Sequence, residues 1–239
     1  MNKIEYWLTK DSIGRDLFAQ ECEFLQKIVN RLSGNDHFLL GLGPVNIFQY
    51  INLYSLHTGI YVSESMPCDV VSSYTYLPFD ENSVDILICH HVLEFSQAKD
   101  LLIRDISRIL KPGGNLVVCS FNPHRLWLIN PKWEGDTIFY KRNCMSIRQL
   151  REEIENNSMQ VIEGQFMFYT PLFGSCFNSG RIDFLEKVGN RWWPNLSSIY
   201  ALVAKKKVSK FITNPVGNKL LDTRHIGLVA LTRKSDQLS

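Results

Sequence analysis

The chain has no Cys-x-x-Cys pair and no cluster of cysteine and histidine at ligand spacing, so no zinc ribbon or finger is expected and no metal ligand set is read from it. Its six cysteines (Cys22, Cys68, Cys89, Cys119, Cys144 and Cys176) are scattered. Several stand inside apolar runs, as buried free thiols of a reducing compartment do. No run approaches the roughly 18 apolar residues of a membrane span. The opening Met1–Leu8 is charged too early for a secretion signal. Neither sign of charge is in excess: 26 Lys and Arg against 24 Asp and Glu leave a net charge of +2. That gives no basis for a nucleic-acid or membrane-surface partner. No Gly-x-x-x-x-Gly-Lys-[Ser/Thr] is present, which excludes a P-loop. Repeats, low-complexity tracts and domain linkers are absent too. A cytoplasmic location is the expectation.

What is present is an ordinary globular balance. The 239 residues are 45% hydrophobic and 21% charged, enough for one large domain with a full core. Residues 12–33 have helical spacing, with Leu17, Phe18, Phe24, Leu25, Ile28, Val29 and Leu32 on one stripe. Phe38-Leu39-Leu40 reads as a buried strand that runs into Gly41-Leu42-Gly43-Pro44. Residues 45–55 are ambiguous and suit a short helix. Strands are expected at 58–62, 69–72, 84–89, 116–120, 161–169 and 198–204. A helix is expected over 97–110, ended by Lys111-Pro112-Gly113-Gly114. Ser146 and Gln149 have capping-box spacing at the start of another helix. Residues 121–145 read as a long structured loop, and a further helix is expected near 180–189. Apolar strands separated by helices argue for a parallel sheet covered on both faces.

In such a sheet, ligands bind beyond the carboxyl ends of the strands, where strand order reverses. The turn at Gly41 and Gly43 would stand there. Glycines let a ligand approach the backbone, and they also serve in purely structural turns. A nicotinamide fingerprint would need a third glycine where Asn46 stands.

Three further blocks carry a resemblance. The first is Leu77-Pro78-Phe79-Asp80-Glu81-Asn82-Ser83-Val84-Asp85-Ile86-Leu87-Ile88. The second is His90-His91-Val92-Leu93-Glu94-Phe95, and the third is Arg108-Ile109-Leu110-Lys111-Pro112-Gly113-Gly114. In order and spacing they resemble class I S-adenosylmethionine (SAM)-dependent methyltransferases of the type 11 kind, from about 35 to 122. Tyr6-Trp7, Phe121-Asn122-Pro123 with Leu126-Trp127, and Arg191-Trp192-Trp193-Pro194 resemble one bacterial subfamily, which extends the likeness over 1–206. The resemblance implies a Rossmann-like α/β domain over 1–206. Its seven-stranded sheet would be mostly parallel with an antiparallel last strand and helices on both faces. Residues 207–239 would form a partly ordered tail or an extra strand.

The same resemblance implies SAM as cofactor, with Gly41, Leu42, Gly43, Ser73, Tyr74 and His90 around it. His91 would serve as general base. Tyr6, Trp7, Asn122 and Trp127 would line a pocket for a small-molecule acceptor. The sequence departs from the family at three polar anchors. Leu39 stands at the motif acid, Val45 at the third glycine, and Ser73 at the aspartate that faces adenine. Glu64 is the only acid near the end of the second strand. These departures keep a second expectation open, a catalytically degenerate module that binds or stabilises a partner.

Overall fold

The computed structural model describes residues 3–32, 38–53, 58–123, 144–169 and 197–208. Helix α1 (Lys3–Lys10) leads into α2 (Ser12–Leu32). Between them Asp11 Oδ1 accepts from the N–H groups of Ile13 and Gly14 at 3.0 and 3.1 Å, satisfying donors that the first turn of α2 leaves open. The apolar stripe of α2 is buried as its spacing predicts. Each large side chain sequestered there contributes about 1.5–3 kcal/mol, far more than intrinsic propensity does.

Seven strands follow: β1 (Phe38–Leu42), β2 (Thr58–Ser63), β3 (Val70–Val71), β4 (Val84–His90), β5 (Leu110–Phe121), β6 (Met159–Met167) and β7 (Ile199–Lys206). They form one sheet in the order β3-β2-β1-β4-β5-β7-β6. The first five are parallel to one another, and β7 runs antiparallel to both β5 and β6. Both faces are covered. Leu39, Ile86, Ile88, Val117 and Cys119 pack under α2, while Leu40, Leu87, Leu116 and Val118 point the other way. The second face meets α3 (Lys99–Ile109) and α4 (Ile147–Asn156) through Leu102, Ile103, Ile106, Leu150 and Ile154. Alternate residues of one strand thus feed two cores, so the strands read as unbroken apolar runs.

Polar residues of the three blocks singled out in the sequence hold the frame. Asp85 Oδ2 accepts from the Phe38 N–H at 3.0 Å and from Lys111 Nζ at 2.7 Å, tying the start of β1 to β4 and β5. Arg108 donates to the carbonyls of Leu77 and Phe79 at 2.9 and 2.8 Å. Asp105 accepts from Arg108 Nε at 2.7 Å and from the Leu77 N–H at 2.6 Å. Helix α3 therefore clamps the Leu77-Pro78-Phe79 segment.

Several boundaries differ from the sequence expectation. Strand β5 starts at Leu110, because Leu110 pairs with Val84 before the ladder skips to Asn115 beside Ile86. Lys111–Gly114 is thus a bulge within the strand rather than a turn before it. Between β1 and β2 the described chain makes only a single 3-10 turn, Ile47–Gln49, capped by Asn46. The capping box of α4 is present, with the Gln149 N–H donating to Ser146 Oγ at 3.3 Å. Most of the 121–145 loop, the helix near 180–189 and the tail beyond 208 lie outside the described residues. No helix among the described residues is long and apolar enough to cross a membrane.

Candidate active site at the carboxyl edge of the sheet

Strand order reverses between β1 and β4, so the carboxyl ends of these strands flank the natural ligand crevice of an open α/β sheet. The residues brought to that edge are Gly41-Leu42-Gly43, Ser63-Glu64, His90-His91 and Phe121-Asn122.

Gly41, Leu42 and Gly43 are buried. A Cβ on Gly41 would stand 2.8 Å from the Phe48 ring, and one on Gly43 would stand 2.6 Å from the His90 carbonyl oxygen. The protein's own atoms use the side-chain room at both positions, so packing alone requires glycine there. The Gly43 carbonyl accepts from Tyr61 Oη at 2.8 Å and from Tyr74 Oη at 3.2 Å. Burial raises both phenols, Tyr61 to about 12, which keeps the hydroxyls protonated as donors. Tyr74 is therefore a brace beneath the glycine turn. Its neighbour Ser73 is exposed and meets Thr75 Oγ1 at 2.8 Å. Glu64 stands exposed one residue past β2, with Oε1 3.5 Å from the Tyr74 N–H.

The chemistry-bearing centre of this edge is a buried cluster. His90 Nε2 lies 3.0 Å from Glu21 Oε2, and His91 Nε2 lies 2.9 Å from Glu21 Oε1. On its other side His91 Nδ1 meets Glu94 Oε1 at 3.2 Å. Glu94 Oε1 also accepts from Ser120 Oγ at 3.0 Å and from the Phe121 N–H at 2.6 Å. The His91 ring stacks on Phe121 with centroids 4.1 Å apart. Both histidines and Glu21 are fully buried.

Burial alone would raise the Glu21 carboxyl, but His91 and then His90 outweigh it and hold it at about 2. Burial alone would lower His91, yet Glu21 and Glu94 together push it up to about 10. Burial prevails at His90 and lowers it. At Glu94 burial opposes ionisation, and the hydrogen bond and charge of His91 more than offset it, so its pKa falls. A positive centre on His91 therefore sits between two carboxylates.

The residues expected from the sequence fall as follows. Both ring nitrogens of His91 face carboxylates, Nε2 toward Glu21 and Nδ1 toward Glu94, so the ring has no open path to a substrate. His90 Nε2 faces Glu21 in the core. Trp7 is buried with its ring edge on Phe121, centroids 6.1 Å apart, while Tyr6 beside it is 56% exposed. Asn122 is buried and knits β5 toward β7, its N–H donating to the Ser198 carbonyl at 2.9 Å. Trp127 lies outside the described residues. Sequence reasoning missed Glu21, 69 positions from His90. One signal pointed to it: an acid three residues after Phe18 and three before Phe24, inside the apolar stripe of α2.

Residues 41–118 match a family described as a methyltransferase domain. The uncharacterised protein YafS of Escherichia coli (strain K12) is 34% identical over 61 residues, which are 26% of this chain and 25% of that protein. The curated relatives it matches are covered over a quarter of their length or less. Among solved structures, a chain from the complex of the Haloferax volcanii Trm112 methyltransferase activator with a candidate methyltransferase superposes with a TM-score of 0.60. It is 14% identical, over 87% of this chain and 99% of that one. Geranyl diphosphate C-methyltransferase from Streptomyces coelicolor A3(2), solved with Mg2+, geranyl diphosphate and S-adenosyl-L-homocysteine, gives 0.53 at 18% identity, over 84% and 87% of the two chains. Residues 41–118 are thus similar to a methyltransferase domain, and the described seven-stranded sheet has the fold seen in these solved methyltransferase structures.

Proposed function

We propose that the protein binds SAM across the carboxyl ends of β1, β2 and β4 and transfers its methyl group to a small-molecule acceptor. One observation carries this reading: the family-matching segment delivers the glycine turn and the exposed carboxylate of Glu64 to the same edge, beside the strand-order reversal. The residues present fit the nucleoside half of the cofactor. Glu64 offers a carboxylate to ribose hydroxyls, and Ser73 offers an exposed hydroxyl near the end of β3. When bound, the sulfonium supplies an already activated methyl group. The chain's task is then to hold an acceptor in line with it and to exclude water. No side chain described here is assigned as a base, so an acceptor that ionises readily by itself suits the site.

A degenerate module remains the second reading, and one observation favours it. Phe48 fills the space beside Gly41, and a 3-10 turn is the one helical element among the described residues between β1 and β2, so the methionine half of the cofactor meets a turn already packed with protein.

Thermal denaturation with and without SAM or S-adenosylhomocysteine separates the two. Ligand at 100 times its dissociation constant stabilises by about 2.7 kcal/mol. The first reading expects a clear rise in Tm that weakens in Glu64→Gln, an exposed change that leaves the fold intact. No rise with either ligand at millimolar concentration overturns cofactor use and leaves the module. Gly43→Val is a poor probe, since its Cβ would strike the His90 carbonyl whether or not SAM binds.

A further inference from the structure

Neighbouring residues of an extended strand send their side chains to opposite faces. His90 and His91 do not follow that rule. His91 adopts φ of 51°, a left-handed conformation unusual for a residue with a Cβ. The backbone reversal turns both imidazoles toward one carboxylate, Glu21, with ring centroids 4.6 Å apart. Left-handed backbone strains a residue that carries a Cβ, and such strain concentrates at functional sites.

The donor atoms also meet in an unusual way. One ligating atom from each of Glu21, His90 and His91 can be chosen so that all lie within 4.8 Å of one another. His91 Nε2 and Glu21 Oε1 are only 2.9 Å apart, yet neither has an aligned hydrogen-bond partner among the described residues. A shared cation placed off the line between them satisfies both. Two ligands about 2.0–2.1 Å from one tetrahedral ion stand roughly 3.3 Å apart; the two Glu21–histidine separations, 3.0 and 2.9 Å, are within a few tenths of an ångström of that, and the three donors together lie within 4.8 Å. His91 Nδ1 faces Glu94, and an outer carboxylate on the far nitrogen of a ligating histidine fixes its tautomer and leaves the near nitrogen free to bind metal. Charge balances as well: a divalent cation that displaces the proton His91 holds between Glu21 and Glu94 leaves both imidazoles neutral and is offset by the two carboxylates.

We propose that Glu21, His90 and His91 form a binding site for a divalent first-row transition-metal ion of the zinc class, with Glu94 orienting His91 from outside. Two imidazoles and one carboxylate select such an ion over magnesium or calcium, which prefer all-oxygen ligands. The site would pin α2 to the ends of β4 and β5, and it does not depend on methyl transfer.

The test uses the full chain without a histidine tag, stripped by chelator, unfolded in urea and refolded with Co2+ or Zn2+ under reducing conditions. Refolding gives the ion access to a buried site. The proposal expects stoichiometric Co2+ with visible d–d bands and no thiolate-to-metal band, and a higher Tm with either ion. His90→Gln should weaken binding by more than about tenfold, the loss that removal of even an outer partner of a metal ligand typically causes. Absence of both the bands and the Tm rise in the wild-type chain overturns it, without reliance on any variant's folding. So does a thiolate band, which would assign the ion to the cysteines. Unchanged affinity in both His90→Gln and Glu21→Gln does the same.

Discussion

The backbone N–H of Phe121 donates to Glu94 Oε1 at 2.6 Å, so a carboxylate just past β4 holds the last residue of β5. The same oxygen accepts from Ser120 Oγ and faces His91. Replacing Glu94 by Gln keeps the shape and removes the charge. Hydrogen bonds to a charged group contribute about 1.5–3 kcal/mol. Glu94→Gln should lower unfolding free energy by about that amount in urea titrations, and Ser120→Ala by less than half as much. Equal losses would mean that the hydroxyl, rather than the charge, holds this junction.

The clamp between α3 and the Leu77-Pro78-Phe79 segment is also testable. Asp105→Ala strips the buried Leu77 N–H and Arg108 of their acceptor and should destabilise by about 2–3 kcal/mol. Arg108→Lys retains the charge but not the forked geometry that reaches two carbonyls and Asp105 together. A smaller loss, about 1 kcal/mol, is expected in the same denaturant assay. A Lys variant as unstable as the Ala variant would show that geometry outweighs charge here.

Gly41 and Phe48 share one space. Gly41→Ala should cost about 1–3 kcal/mol through overpacking against the ring 2.8 Å away. Phe48→Leu shortens that ring and should offset part of the cost, so the double variant is more stable than the sum of the singles predicts. Additive losses would place the strain elsewhere.

Thiol reactivity follows burial. Burial, aided by the nearby Glu21, pushes the Cys22 thiol up to about 12, and burial raises Cys89 and Cys119 as well. Alkylation at pH 8 should modify the half-exposed Cys68 in the native chain and reach those three only after unfolding. Mass spectrometry of peptides labelled before and after urea treatment reads this out.

The capping box gives a calibrating case. Ser146→Ala removes the acceptor of the Gln149 N–H and should cost about 0.5–2 kcal/mol. Circular dichroism during thermal melting would detect it, and an unchanged melting curve would mean that α4 is held by Leu150 and Ile154 alone.

Local signals in the sequence located the elements well. The stripe Leu17 to Val29 marked α2, the Ser146–Gln149 pair marked the start of α4, and the apolar run at 84–89 marked β4. Each rests on neighbours within a few residues. The family blocks named the sheet because their order fixes the strand sequence around the switch point. The buried cluster was harder to read, because Glu21 meets His90 across 69 positions and only the folded sheet brings them together. The pairing of His91 was hidden too, since nothing in a His-His dipeptide announces a left-handed backbone. The β5 boundary moved because pairing between Leu110 and Val84 belongs to the assembled ladder, whereas the Pro-Gly-Gly run taken by itself signals a stop.

The antiparallel strand β7 lies between β5 and β6, which never touch as neighbours in the ladder. Everything synthesised before residue 199 therefore emerges from the ribosome with two raw borders facing a gap, and open borders invite pairing with other chains. The closing stitch is supplied by almost the last segment of the domain to be made. A nascent chain stalled short of it would need shelter, whereas eight further residues seal both borders at once.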